Sequence, residues 1–264
     1  MQRFRGVAHV HSRYSFDGRL TLPELAAFFQ ERGVDFVLMS EHVESLDPEK
    51  VRSFIADCRA CSSDKLLLVP GIEIDALNAL FYNVPSVESW SDNEALARRL
   101  AAAGAFVAVS HPVKVKQHLP AVTESLVEGV EVWNSRHDGK GAVNPRMVHF
   151  WSSLRNRLGR HNVPLCGIDF HGRHDFVPLV FELECERLDA ACIMAAIRAG
   201  SYRIVVHGKP LPLNFASGRL ALRYRWYANS YRLAYAGVYG IHRVTLKLGL
   251  HAPKSLKSRL GRLF

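Results

Sequence analysis

Short runs dominated by Val, Ile, Leu and Phe alternate along the chain with longer stretches in which apolar residues recur every three or four positions. The short runs predict strands over residues 6–10, 35–39, 66–74, 106–109, 130–133, 164–168 and 177–183. Helix signals fall between most of them. Thr21-Leu22-Pro23-Glu24 has the form of a capping box with proline in the first turn; it opens a helix through Ala26, Phe28 and Phe29 to Arg32, which Gly33 ends. Asp47-Pro48 starts a second helix toward Cys61, Asp92 a third through Ala102, and Asn144-Pro145 a fourth toward Leu158; a fifth covers 188–199 before Gly200. Strands alternating with helices imply a parallel sheet with crossover connections, and seven such units can close into a barrel. The expected fold class is therefore α/β, a (β/α)7 barrel.

Composition is consistent with one large core. The chain has 264 residues, 48% of them hydrophobic and 22% charged, which excludes a disordered segment and allows a single barrel-sized domain. Strand-like sequence begins almost at Met1 without the apolar stretch of a signal peptide, and no run approaches the roughly 18 apolar residues that span a bilayer. A cytoplasmic protein is the expectation. Five cysteines, an odd number, do not resemble a disulfide framework. Cys58 and Cys61 have a metal or redox spacing, but they fall within an expected helix, where free cysteine packs as a small hydrophobe.

The strand ends carry the candidate chemistry. His9, His11 and Asp17 come after the first strand, Ser40-Glu41-His42 after the second, and Pro70-Gly71-Ile72-Glu73 lies at the end of the third. Ser110-His111-Pro112 comes after the fourth, Asn134 to His137 after the fifth, and Asp169-Phe170-His171 after the sixth. In barrels of parallel strands the C-terminal strand ends form the active site, so residues distant in sequence converge there. In extended backbone, residues two apart share a face, which pairs His9 with His11 and Asp169 with His171. Imidazole nitrogen with carboxylate oxygen suits zinc, manganese or iron better than calcium or magnesium. Nine such donors exceed what one tetrahedral ion takes, so a site for two or three divalent ions is expected, with Glu73 placed to bridge.

The stretches His9-Val10-His11, Ser15-Phe16-Asp17-Gly18, Ser40-Glu41-His42, Pro70-Gly71-Ile72-Glu73, Ser110-His111-Pro112, Glu131-Val132-Trp133-Asn134 with His137, and Gly167-Ile168-Asp169-Phe170-His171 resemble the polymerase and histidinol phosphatase (PHP) family. The resemblance runs from about residue 6 to 200 and implies a distorted seven-stranded β/α barrel that cleaves phosphate esters with up to three metals. Carried over by motif, it implies that His9, His11, Glu73 and Asp169 hold a first ion. Glu73, His111 and His137 would hold a second, and Asp17, His42 and His171 a third.

Metal-activated water would then attack phosphorus with no protein nucleophile. Arg13, Lys114, Arg136, Lys140 and Arg173 are candidates to neutralise the phosphoryl oxygens of a small phosphorylated metabolite or nucleotide, with Arg13 and Arg136 ranked first. Residues 212–264 are set apart as a basic C-terminal extension. From Ala190 to Phe264 there are 13 Lys and Arg residues and no Asp or Glu, and after Pro212 aromatics interleave with arginines. Such a segment suits nucleic acid or an anionic membrane surface, which would make the protein peripheral at the membrane. Two function classes stay open: a metal-dependent hydrolase, or a vestigial barrel whose basic arm does the binding.

Overall fold

The computed structural model describes residues 1–114, 119–140, 143–159 and 161–211, together with Trp226. The basic extension over 212–264 lies, apart from exposed Trp226, outside the described residues. No described helix is long and apolar enough to cross a membrane.

In chain order the elements are β1 (Gln2–Val10), α1 (Leu22–Gln30), β2 (Phe36–Met39), β3 (Glu41–His42), α2 (Pro48–Cys61), β4 (Leu67–Val69), β5 (Gly71–Ile74), β6 (Ala79–Tyr82) and α3 (Asn93–Ala102). Next come β7 (Phe106–Val109), α4 (Ala121–Leu126), β8 (Gly129–Asn134), α5 (Pro145–Leu158), β9 (Val163–Gly167), β10 (Leu179–Cys185), α6 (Ala190–Arg198), β11 (Tyr202–Val206) and β12 (Lys209–Pro210). The expected helix starts hold. Thr21 caps α1 in a reciprocal capping box with Glu24, and Asp47, Asp92, Asn144 and Asp189 each accept from a backbone N–H in the first turn of the helix they precede.

The strands form two mixed sheets, ordered β12-β11-β10-β1-β2-β4 and β3-β5-β6-β7-β8-β9. Strict parallel alternation is not what the chain adopts. The expected strand over 66–74 breaks at Pro70 into β4 and β5, and β5 turns back as the antiparallel β6 through Asn78 in the left-handed region. Similarly, β10 runs antiparallel to β1. The sheets meet where Ile168 and Phe170, just past β9, donate backbone hydrogen bonds to Ala8 and His9 of β1. Strands β2, β7 and β8 are buried along their whole length, as central strands covered on both faces must be. Fully buried Phe29, Phe36, Phe54, Phe106 and Trp133 fill the interior. Cys58 is a packed residue of α2, its thiol pushed well up by burial, and both Cys58 and Cys61 are free.

Candidate metal centre

Parallel strand ends deliver side chains to one point, and the backbone is strained to do so. The pairing of β1 with β2 slips between Ala8 and Val10, and the extra residue, His9, takes φ 63°. Val10 stays fully buried in the core while the bulge aims His9 beside His11, their ring centroids 5.1 Å apart. His111 (φ 23°) and Asp169 (φ 48°) also occupy the positive-φ region. Such backbone costs on the order of 1–3 kcal/mol per residue and collects at functional sites.

Glu73 is the hub. Its Oε2 lies 3.1 Å from His9 Nε2, 3.5 Å from His11 Nε2 and 3.6 Å from His42 Nδ1, and its Oε1 lies 2.8 Å from His111 Nε2. Asp169 is a second centre. Its Oδ1 sits 3.3 Å from His171 Nδ1 and 3.8 Å from both His9 and His11 Nε2, and its Oδ2 sits 3.1 Å from His137 Nε2. Asp17 spans His171 Nε2 at 2.8 Å and His42 Nε2 at 3.6 Å. All nine residues expected as ligands are thus brought together. Seven are buried; Asp17 and His137 are half-buried.

Donor atoms gather within 4.8 Å of one another in the sets His11, Asp17, His42 and His171; His9, His11 and Glu73; His9, His111 and Asp169; and His42, Glu73 and Asp75. The first set matches the third expected ion with His11 added. His111, expected with Glu73 and His137, also falls in a set with His9 and Asp169. His11 Nε2, His42 Nδ1 and Asp17 Oδ1 are buried without a hydrogen-bond partner. Each such atom costs about 1–3 kcal/mol, and divalent cations relieve all three at once. The donor set therefore fits such ions.

Burial opposes charge on His9, His11, Glu73 and Asp169. At His9 the carboxylates of Glu131, Glu73 and Asp169 outweigh it and raise the imidazole well above its usual range. Burial, reinforced by His9, holds His11 well below that range. Burial pushes Glu73 and Asp169 up, but His9 with His111 in the one case, and His9 with His137 in the other, hold both carboxyls well below theirs. These acids are poised as anions.

Two contributors, Glu131 and Asn134, belong to one of the resembling stretches, but sequence alone assigns them no role. Glu131 is buried in β8, where its Oε1 accepts from His9 Nδ1 at 2.8 Å and its Oε2 from the His111 backbone N–H at 2.7 Å. A carboxylate holding Nδ1 directs Nε2 toward metal. Asn134 donates to both Glu131 and Asp169. Lys114 brings Nζ to 3.3 Å from His111 Nε2, and Arg136 brings Nη1 to 2.8 Å from His171 Nδ1. Arg13, ranked beside Arg136, is exposed, and its Nε donates to the Arg19 carbonyl. Lys140 likewise donates to the His174 carbonyl, and Arg173 lies over the Phe28 ring.

Glu41, which precedes His42 in the Ser40-Glu41-His42 motif, is fully buried. It accepts from the Ser12 backbone N–H and from Ser15 Oγ, which lies 3.3 Å from His11 Nδ1. Burial pushes its carboxyl from 4.5 up to about 7 against these hydrogen bonds. An acid whose folded pKa is raised loses stability as pH climbs from its unfolded value through the folded one. In the metal-free protein this penalty grows from about pH 4.5 to 7 and reaches about 3 kcal/mol. Glu41→Gln is expected to flatten that slope, raising the melting temperature at pH 8 and leaving it little changed at pH 4.5; thermal unfolding across pH checks this.

No protein-family model matches the chain, and no curated protein does. Among solved structures, a two-domain protein from Bacteroides vulgatus containing a predicted PHP-like metal-dependent phosphoesterase superposes with a TM-score of 0.60 at 17% identity, over 78% of this chain and 65% of its own. The fold is PHP-like. PsfC from Pseudomonas syringae superposes with a TM-score of 0.52 at 14% identity, over 89% of this chain and 99% of its own. The chain thus spans somewhat under two thirds of the length of the first of these proteins.

Proposed function

We propose that the chain is a metal-dependent phosphoesterase acting on a small phosphorylated substrate. The observation that carries this reading is the convergence of nine imidazole and carboxylate residues, with Glu73 and Asp169 as its two hubs, on a PHP-like fold. Strands β1, β2–β3, β4–β5, β6, β7, β8 and β9 are read as the seven strands of one distorted barrel, with β10, β11 and β12 outside it, because the end of β9 is hydrogen-bonded to β1.

Divalent zinc, manganese or iron held by His9, His11, Asp17, His42, Glu73, His111, His137, Asp169 and His171 would supply a water of lowered pKa and would polarise the phosphoryl oxygens. The chain's own contribution is arrangement. Glu73, ionised between four imidazoles, is placed to bridge. Glu131 fixes the tautomer of His9. Lys114 and Arg136, beside His111 and His171, would neutralise and orient the phosphoryl group.

The test is a turnover screen of the metal-loaded protein on phosphate monoesters and diesters beside carboxylic esters and amides. Release of phosphate or of the ester alcohol, abolished by a chelator, is expected. Turnover confined to carbonyl substrates would replace the assignment with a different metal hydrolase.

A further inference from the structure

Phe16 is an anomaly at the mouth of this centre. It is 71% exposed, one of three large hydrophobic side chains in that state among the described residues. The other two, Met1 and Trp226, lie near the start of the chain and within the basic extension. An isolated exposed apolar residue ordinarily needs no explanation, but Phe16 is held in place. Its backbone N–H donates to Ser45 Oγ at 2.9 Å, and the neighbouring turn is closed by Ser15 N–H to the Ser12 carbonyl and by Gly18 N–H to the Ser15 carbonyl. Gly18 is pressed against the same turn: an added Cβ would lie 1.8 Å from the Ser12 carbonyl oxygen. The next residue, Asp17, belongs to the cluster.

The ring has a defined pose as well. It stacks on His42 with centroids 4.9 Å apart and planes 24° from parallel, and His42 stacks in turn on His11 at 4.5 Å and 23°. Phe16 is the outermost ring of this three-ring stack. Its inner face lies on a cluster histidine, and its exposure leaves the rest of the ring to solvent. The cations flank other members of the cluster, Lys114 at His111 and Arg136 at His171. A substrate whose phosphate occupies the cluster therefore meets cations at His111 and His171 and an exposed aromatic ring at His42.

We propose that Phe16 is a specificity-determining platform that stacks a planar group of the substrate, so that the phosphate ester carries a nucleobase or similar aromatic ring. This inference rests on the phosphoesterase reading. Stacking of a base on an aromatic side chain is sequence-tolerant and favourable enough to change affinity by about ten-fold or more.

The experiment compares adenosine 5′-monophosphate with ribose 5-phosphate, which share a primary alkyl phosphate and differ in the base. With wild type, KM for the nucleotide is expected to be about ten-fold lower. Phe16→Ala should erase that difference by raising KM for the nucleotide toward that for ribose 5-phosphate, and Phe16→Trp should restore it. In parallel, adenosine, which has no scissile bond, is titrated into each protein and its line broadening followed by NMR. Equal KM values in wild type, or a preference that survives Phe16→Ala, would overturn the platform. If neither ester is turned over, the hydrolase reading fails, and adenosine binding still decides the platform: loss in Phe16→Ala upholds it, and equal or absent binding in both proteins refutes it.

Discussion

Asp169→Asn is expected to lose its metal and its turnover together while keeping its fold. The substitution preserves shape and removes one negative charge at a position where the carboxylate lies within 3.8 Å of four imidazoles. Its neighbours hold that carboxyl well below the usual range against the pull of burial, so it is an anion at every working pH. Loss of a residue that merely orients a ligand costs about 10–100-fold in metal affinity, and loss of a ligand should exceed that. Asn134 Nδ2, now a donor 3.3 Å from Oδ2, can pair with the new amide oxygen, which limits damage to the apoprotein. Metal content and phosphate release measured on the same sample, beside circular dichroism, check the prediction. An unfolded variant would show only that the charge was structural, and Asp169→Glu, which keeps the anion on a longer arm, then separates the cases by retaining some metal.

Gly167→Ala is expected to damage fold and site at once. A Cβ at this position would sit 1.9 Å from Glu131 Oε1 and 2.8 Å from His9 Cβ. Neither neighbour can yield cheaply. Glu131 is fixed by His9 Nδ1, the His111 backbone N–H and Asn134, and His9 sits on strained backbone at a bulge. Overpacking a rigid core costs about 1–3 kcal/mol, and the least resistant path is for Glu131 to withdraw from His9. Chemical denaturation should register the lost stability, and metal titration a weaker site. Unchanged stability with full metal affinity would mean that Glu131 does not need this space.

Much of the candidate site was legible in the sequence because most of its residues sit at or just past a strand end, a position that local pattern locates well. His42 closes β3, Glu73 lies in β5, and His111 comes just after β7, so the apolar runs themselves pointed at them. The capped helix starts were readable for the same reason: Thr21, Asp47 and Asp92 act on their own first turns. The hidden part depends on long-range pairing. The antiparallel return of β6 turns on Asn78, with neither glycine nor proline to announce it. Glu131 reads as the polar position of an alternating strand, and only the tertiary arrangement that buries β8 on both faces sets it behind His9 Nδ1. Arg13 stands next to the histidine motif in sequence, yet the loop directs it to Arg19, and Lys114 reaches the cluster instead. The bulge at His9 likewise depends on the register of β1 against β2, which no residue in the first strand specifies.

The most direct test of a metal-centred phosphoesterase is elemental analysis of the purified full chain paired with phosphate release before and after chelation. The expected result is about two or three divalent ions per chain, with turnover lost on their removal and restored by adding zinc, manganese or iron. Undiminished turnover from metal-free protein, or a folded chain that binds no divalent ion at all, would contradict it.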